Sequence, residues 1–235
     1  KAAVVVATVK ALKLHGNIEE KDLKEENIEA LAAGVANLEK HVENMKKYNL
    51  PVVVALNVFV TDTEKELAFL EEWAANQGIE LSRTEVWEHG GAGGLDLAKK
   101  VIRAIDNNKE DLKLLYSDET PIAEKIEIIC REMYGADGVN LTDEVKGEIA
   151  RIEKLGFGSL PVCMAKTPAS LTDNAKIKGR PTGFKITIND VKLRSGAGFV
   201  VAYANKVLTM PGLPKVPSAL NIDIDEETET ILGIF

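Results

Sequence analysis

The chain has 235 residues, of which 45% are hydrophobic and 28% charged, and this composition is typical of a globular protein rather than a disordered one. Its net charge of −8 argues against a dominant nucleic-acid-binding role, because no basic stripe is available to contact phosphates. Cys130 and Cys163 lack metal-binding spacing and indicate reduced thiols, and no apolar run is long enough to cross a membrane, so we expect a soluble, cytoplasmic protein.

The first predicted element is a strand at the N-terminus. Lys1 is followed at once by AAVVVA, and a continuous apolar run is typical of a central parallel strand that is buried on both faces. Such a strand needs a neighbour on each side. We therefore expect this chain to be the C-terminal portion of a longer protein.

Helices and strands then alternate. One apolar set recurs at three- and four-residue steps and predicts a helix that ends near Tyr48: Ile28, Leu31, Val35, Leu38, Val42 and Met45. VVVAL at 52–56 predicts a second buried strand. Thr63 and Glu66 have the capping-box spacing that opens another helix, whose Leu67, Leu70 and Trp73 turn inward.

The stretch EVWEHGGAGG at 85–94 connects a third short strand region to a helix at about 95–107. Its four glycines suggest a loop that cradles phosphate, but a Walker loop closes with Lys and Ser or Thr, and here Leu95 and Asp96 follow. The dinucleotide spacing G-x-G-x-x-G fails as well. Trp87, just before the glycines, therefore favours a planar ligand over a triphosphate.

Three strands alternating with three helices predict the second half of a doubly wound, mostly parallel sheet. Ligands of such sheets bind beyond the carboxyl ends of the strands, where the loop after each strand lies. Lys10 follows the first strand, and a charge there must reach solvent or meet an anion. After the second strand, Thr61 and Asp62 fit helix-capping residues, and Phe59 is either a core or a ligand residue.

Beyond Asn108 the pattern changes. Two helices are predicted, one from Thr120-Pro121 to Gly135 and one from Leu141 to a stop at Gly156. Strands follow in PVCMA and in a hairpin of FKITINDVKLR and GFVVAYAN, and then comes the rigid segment MPGLPKVP at 210–217. The predicted domains are residues 1–113, an α/β domain, and residues 114–235, an α+β domain with helices and a β-hairpin.

The residues taken one by one support only a ligand-binding α/β fragment. The three histidines have no triad or metal-ligand spacing, and we expect them to be non-catalytic. A relative of P-loop GTPases is disfavoured, because no N-K-x-D motif is present to read guanine.

Six motifs in order resemble the formate–tetrahydrofolate ligase family: VATVKALKLHGN, ANLEKHVENMKKYNLPVVVALNVFVTDTEKEL, EVWEHGGAGG, YGADGV, GFGSLPVCMAKT and TMPGLPKVP. The resemblance covers essentially the whole chain. The family's enzymes are roughly twice as long and carry the phosphate loop in the N-terminal half. The resemblance thus implies that this chain is the folate-side, C-terminal portion and that its sheet is P-loop-NTPase-like.

The resemblance also implies the chemistry. ATP phosphorylates formate to formyl phosphate, and N10 of tetrahydrofolate takes the formyl group to give 10-formyltetrahydrofolate. Bacterial members are often tetramers, use Mg²⁺ with ATP and respond to monovalent cations. Because the phosphate loop is absent, a non-catalytic ligase-like binding or assembly module of a folate protein stays open as an alternative.

The family's motifs also suggest site residues. Trp87 matches the Trp of W-x-x-G-G and Phe59 the Phe of N-x-F-x-T-D-T, aromatic residues that flank the pterin. This chain departs from the family's motif V-R-A-L-K-x-H-G-G at two positions. It has Lys10 and Asn17 where Arg and Gly are commoner in the family. Lys keeps the charge but loses bidentate geometry, which puts an anion or formyl-phosphate role of Lys10 in doubt. The segment K-T-x-x-S is implied at the nucleotide edge through Lys166, Thr167 and Ser170.

Overall fold

A computed structural model describes residues 1–205, 216–228 and 230–233. The chain has two compact units, Lys1–Asn205 and Lys206–Phe235. Residues 210–215 of the predicted MPGLPKVP segment lie outside the described residues.

The first sheet of the larger unit has three parallel strands in the order β1-β2-β3, namely β1 (Ala3–Ala7), β2 (Val52–Asn57) and β3 (Glu80–Thr84). Two helices connect β1 to β2 and one connects β2 to β3: α1 (Val9–His15), α2 (Ile28–Lys46) and α3 (Glu64–Asn76). After β3 come α4 (Val86–His89), a 3-10 turn (Gly90–Gly94) and α5 (Leu95–Asn107). The predicted alternation of strands and helices is confirmed.

Within the described residues the N-terminal strand has one neighbour and one packed face, and its central position in the sheet of a longer protein stays a prediction. Strand β1 pairs there only with β2, so it lies at the edge of the sheet. Val5 packs against the core, whereas Val4 and Val6 on the opposite face are exposed, Val6 by 67%. A uniformly apolar run does not reveal which face the helices cover, because every residue in it is equally able to pack.

Local signals place the helices as predicted. Helix α2 ends at Lys46 and buries the predicted stripe, including Leu31, Leu38 and Val42. Thr63 and Glu66 form both bonds of the capping box at the start of α3. Helices α1 and α2 cross so closely at Gly34 that only glycine fits there. A Cβ on Gly34 would lie only 1.9 Å from the carbonyl oxygen of Leu12.

The second sheet has four strands in the order β4-β6-β7-β5: β4 (Gly138–Leu141), β5 (Val162–Ala165), β6 (Lys185–Arg194) and β7 (Phe199–Ala204). The predicted hairpin of β6 and β7 is confirmed, and β4 and β5 pair parallel to its two outer sides. Helices α6 (Ile122–Tyr134) and α7 (Asp143–Lys154) pack on this sheet.

The start predicted for the second of these helices is wrong. Leu141 ends strand β4, and α7 begins only after Thr142, whose side chain accepts a hydrogen bond from the Val145 amide. Leu141 fits the helical apolar spacing by chance, because β4 is a four-residue strand that enters the same core. The end of α6 is as predicted, since Gly135 adopts the left-handed conformation (φ 75°) that favours glycine.

Each sheet has a hydrophobic core of its own. The first centres on β2 and the second on β6 and β7, and both combine strand residues with one face of the neighbouring helices. The fold is therefore mixed α/β with parallel pairing in both sheets. The doubly wound, P-loop-NTPase-like arrangement and the domain boundary at 113/114 stay predictions. The smaller unit contains an antiparallel hairpin of β8 (Asp223–Asp225) and β9 (Thr230–Leu232).

Candidate functional site

The loops after β2 and β3 meet at the carboxyl edge of the first sheet. The Trp87 indole N–H donates to the carbonyl oxygen of Val58 at 2.8 Å, and the Val58 amide donates to the carbonyl oxygen of Thr84 at 3.0 Å. Trp87 is thus tied to the residue that precedes Phe59. Its side chain is 52% exposed, while Phe59 is partly buried. The two predicted aromatic residues therefore lie in hydrogen-bonded neighbouring loops, and Trp87 is not a core residue.

The Phe59 loop is a closed turn. The Phe59 amide donates to a carboxylate oxygen of Asp62 at 2.9 Å, and the Asp62 amide donates back to the carbonyl oxygen of Phe59 at 2.9 Å. Burial raises the pKa of Asp62, and the bond from the Phe59 amide opposes that shift. The interpretation of Thr61 and Asp62 as helix caps is wrong, because Thr63 caps α3 and the buried Thr61 hydroxyl has no hydrogen-bond partner among the described residues.

Lys10 lies on the same edge. Its Nζ is 4.7 Å from the centroid of the Phe59 ring, within the range of a cation–π contact. The sequence left open whether this charge reaches solvent or an anion, and the structure adds an aromatic face as its neighbour. Helix α1, which carries Lys10, thus contributes to the same edge as Phe59 and Trp87.

The glycine loop folds back on the helix that carries Trp87. The Glu85 amide donates to the carbonyl oxygen of Gly93 at 3.2 Å, and a Cβ on Gly93 would lie 2.5 Å from the Glu85 carbonyl oxygen. Glycine is required there by this close approach. Asp96, at the start of α5, is already bound by the Ser82 hydroxyl at 2.6 Å and by Lys100 at 2.7 Å.

A second group of predicted residues lies at the end of β5. Lys166 donates to the carbonyl oxygens of Thr167, at 2.8 Å, and of Ser170, and its Nζ is 4.9 Å from the centroid of the Tyr134 ring. The buried Ser170 hydroxyl is 3.0 Å from that of Thr172. Lys166, Thr167 and Ser170 line a cavity of about 250 Å³ together with residues of α1 and α2.

These two groups occur in a chain whose entire length, residues 1–235, matches the family model described as formate–tetrahydrofolate ligase. The chain belongs to the formate–tetrahydrofolate ligase family. The family's reaction joins formate to tetrahydrofolate in one-carbon metabolism, and its substrates include ATP. The resemblance inferred from the sequence motifs is thereby confirmed.

One departure from the ligase motif has a backbone explanation. Asn17 stands where the family pattern has glycine, and its φ is 67°, in the left-handed region. Asparagine is, after glycine, among the residues that enter this region most readily. The substitution therefore keeps the turn that ends α1.

Sequence reasoning missed a buried ion pair beside the aromatic edge of this ligase-family chain. Lys13 and Glu66 are 1% and 0% exposed, and Lys13 Nζ lies 2.8 Å from Glu66 Oε1. Glu66 also accepts the amide hydrogens of Asn27 at 3.0 Å and Thr63 at 3.1 Å, and Lys13 donates to the carbonyl oxygen of Glu25 at 2.8 Å. The pair joins α1, the segment before α2 and the first turn of α3. Lys13 is the Lys of V-R-A-L-K, which was its only signal in the sequence.

Lys166 is expected to have a pKa well below the ordinary lysine value. Burial lowers its pKa to about 8, while Asp173 opposes the shift. Observing the lysine side chains by NMR across pH 6–11 should give a midpoint near this value for Lys166, assigned with the Lys166→Arg variant. A midpoint with the bulk of the lysines, near pH 10.4, would show that the amine is well solvated.

No group of three or more His, Cys, Asp and Glu side chains among the described residues is placed to hold a metal ion. None of the helices found there has the length and apolar character needed to span a membrane.

Proposed function

We propose that this chain is the folate-side portion of an ATP-dependent, ADP-forming formate–tetrahydrofolate ligase. The supporting observation is that the family match covers all 235 residues while Trp87 and the Phe59 loop are hydrogen-bonded neighbours at one sheet edge. The missing portion would be an N-terminal half of the same protein with the phosphate loop. That half would complete a doubly wound, P-loop-NTPase-like sheet in the domain that ends near residue 113.

In the proposed reaction, a formate oxygen attacks the γ-phosphorus of ATP. A bond forms between that oxygen and phosphorus, and the bond from phosphorus to the β–γ bridging oxygen breaks to release ADP. N10 of tetrahydrofolate then attacks the formyl carbon, phosphate leaves, and N10 loses its proton. Activation is needed because a free carboxylate is a poor acyl donor.

The folate end of the reaction is assigned to the first sheet edge. Trp87 and Phe59 would flank the flat pterin ring, since aromatic faces favour stacking on planar rings. Lys10, beside Phe59, would lie at the anion or formyl-phosphate edge as an unbranched positive charge.

The nucleotide edge is assigned to Lys166, Thr167 and Ser170. Mg²⁺ would arrive with ATP as part of the substrate, since Mg²⁺ commonly binds through substrate phosphates and few protein ligands. A monovalent cation and a homotetramer are proposed from the family resemblance alone. A cytoplasmic location is proposed from Cys130 and Cys163, which are both unpaired.

The purified 235-residue chain is expected to form no 10-formyltetrahydrofolate from formate, ATP and tetrahydrofolate. Its sequence has no G-x-x-x-x-G-K-[ST] loop to hold the triphosphate. A coupled assay of ADP release tests this, with an active full-length ligase of the family as positive control. Sustained ADP release that depends on both co-substrates would contradict the expectation.

The lack of a phosphate-loop motif in this sequence also favours one alternative, a non-catalytic ligase-like binding or assembly module. Sequencing the gene upstream of this chain separates the two functions. An upstream G-x-x-x-x-G-K-[ST] and activity of the complete product support the ligase. A complete product that binds folate but releases no ADP supports the module.

A further inference from the structure

The cavity beside Lys166 has a distinctive lining. It lies between α1, α2 and the segment that follows β5, and its volume is about 250 Å³. Among the described residues, no carboxylate lines it, and six of the lining side chains carry hydrogen-bonding groups besides that of Tyr134: His15, Asn37, His41, Lys166, Thr167 and Ser170. Three of these are bases. A cavity with several bases and no acid is suited to an anion.

Several donors remain available to such an anion. His15 Nδ1 accepts a hydrogen bond from the Gly179 amide at 3.2 Å, so the proton of its neutral ring is on Nε2. Within the described part of the chain, the imidazole ring of His41 makes no hydrogen bond. Lys166 uses two of its three N–H groups on the carbonyl oxygens of Thr167 and Ser170. One N–H of Lys166 and the two imidazoles are therefore free to bind a ligand.

The bases also suppress one another's protonation. Burial lowers the pKa of His15, and Lys178 and His41 lower it further. Desolvation by the surrounding protein lowers the pKa of His41, and the positive charges of Lys166 and Lys40 lower it further.

The opposing charges are few. Asp173 opposes the shift on Lys166, whose pKa burial lowers to about 8, whereas burial raises the pKa of the Cys130 thiol to about 12 and keeps it uncharged. Tyr134, on α6, has its own pKa raised by burial to about 12, so it faces the cavity as a neutral phenol. A negative charge in the cavity would attract the protonated forms of these bases and so offset the repulsion between their positive charges.

We propose that this cavity is a phosphate-binding site in which His15, His41 and Lys166 supply the donors. A phosphate group offers several strong acceptor oxygens and up to two negative charges, which match three convergent bases better than a single carboxylate does. The proposal concerns the binding of a phosphate group by this cavity. It does not depend on the proposed function, in which the N-terminal half of the protein holds the ATP triphosphate.

Binding should be coupled to protonation. A bound anion favours the charged forms of His41 and Lys166 and raises their pKa, so phosphate should bind with proton uptake. His15 can donate from Nε2 as a neutral ring, because its Nδ1 accepts the Gly179 amide hydrogen. Above the second pKa of inorganic phosphate, where the charge of the ligand no longer changes, the affinity for phosphate should accordingly fall as the pH rises to 9.

Isothermal titration of the purified chain with inorganic phosphate tests the site. We expect saturable binding of one phosphate, and a loss of affinity of about tenfold or more in His41→Gln and in Lys166→Gln, because hydrogen bonds to charged groups are the strong ones. Lys46→Gln is the matched control, since it removes the same charge from exposed α2 surface outside this cavity and should change little. Titrations in two buffers of different ionisation enthalpy should reveal the proton uptake.

The remaining outcomes would overturn the proposal. Equal affinities in all variants would mean binding elsewhere on the surface, and absence of binding would mean that the bases serve only to hold the loop after β5. Binding of adenosine in place of phosphate would mean that the cavity recognises a nucleobase. Thermal unfolding of each variant shows that it is folded. If phosphate binds as expected while the complete gene product has no ligase activity, the proposed function fails and the site stands.

Discussion

Replacing Trp87 by alanine is expected to weaken tetrahydrofolate binding by well over about tenfold in the complete ligase while ATP affinity stays nearly unchanged. The side chain is 52% exposed, and its one hydrogen bond, to the Val58 carbonyl oxygen, fixes it against the Phe59 loop. An aromatic pair contributes about 0.5–1.5 kcal/mol beyond the burial of its area, and the variant loses both contributions. Equilibrium titration with tetrahydrofolate and with ATP measures the two affinities.

Trp73→Ala is the matched control. Trp73 is also a tryptophan, but it packs against the first hydrophobic core from α3. Its loss should lower the free energy of unfolding and leave the folate affinity of the folded molecules unchanged. If Trp87→Ala instead behaves like this control, with a large loss of stability and normal folate affinity, the assignment of Trp87 to the pterin is wrong.

Features that depend on local sequence were predictable. The capping box at Thr63, the stop at Gly135 and the apolar stripe of α2 each depend on residues within a turn or two of one another. The proximity of Trp87 and Phe59 was also within reach, because parallel strands deliver the loops that follow them to one edge.

Features that depend on packing between distant parts of the chain could not be predicted from the sequence. Whether Val4 and Val6 are covered depends on which elements lie against β1, and its apolar sequence contains no such information. The glycine loop was compared with phosphate loops because both require bare backbone, whereas Gly93 is needed here for its contact with Glu85. The lining of the basic cavity is drawn from α1, α2 and residues 164–171, which the sequence separates widely.

The Lys13–Glu66 pair is the clearest case of a contact that the sequence does not reveal. Its partners are 53 residues apart, and charged side chains are predicted to be exposed unless a partner is known. Glu66 was recognised only as the last residue of a capping box. In the structure one of its oxygens does serve the Thr63 amide, while the other receives Lys13 and the Asn27 amide.

Replacing Lys13 by methionine is expected to lower the free energy of unfolding by about 3–5 kcal/mol, the usual cost of leaving one buried charge without its partner. Methionine nearly preserves the shape of the lysine stem, so the loss should come from the carboxylate of Glu66. Urea denaturation at 25 °C measures it. Lys65→Met is the control on the same helix as Glu66, because the Lys65–Glu26 pair is exposed and such pairs contribute about 0–1 kcal/mol.

Adding Glu66→Gln to Lys13→Met should recover part of that loss, about 1–2 kcal/mol. A neutral amide removes the uncompensated charge and can still accept the Asn27 amide hydrogen, but its NH₂ group cannot accept the bond from Thr63. The double variant should therefore be more stable than Lys13→Met and less stable than the parent chain. If the two substitutions are simply additive, the charges are not coupled, and the pair does not hold α1 against α3 as the geometry indicates.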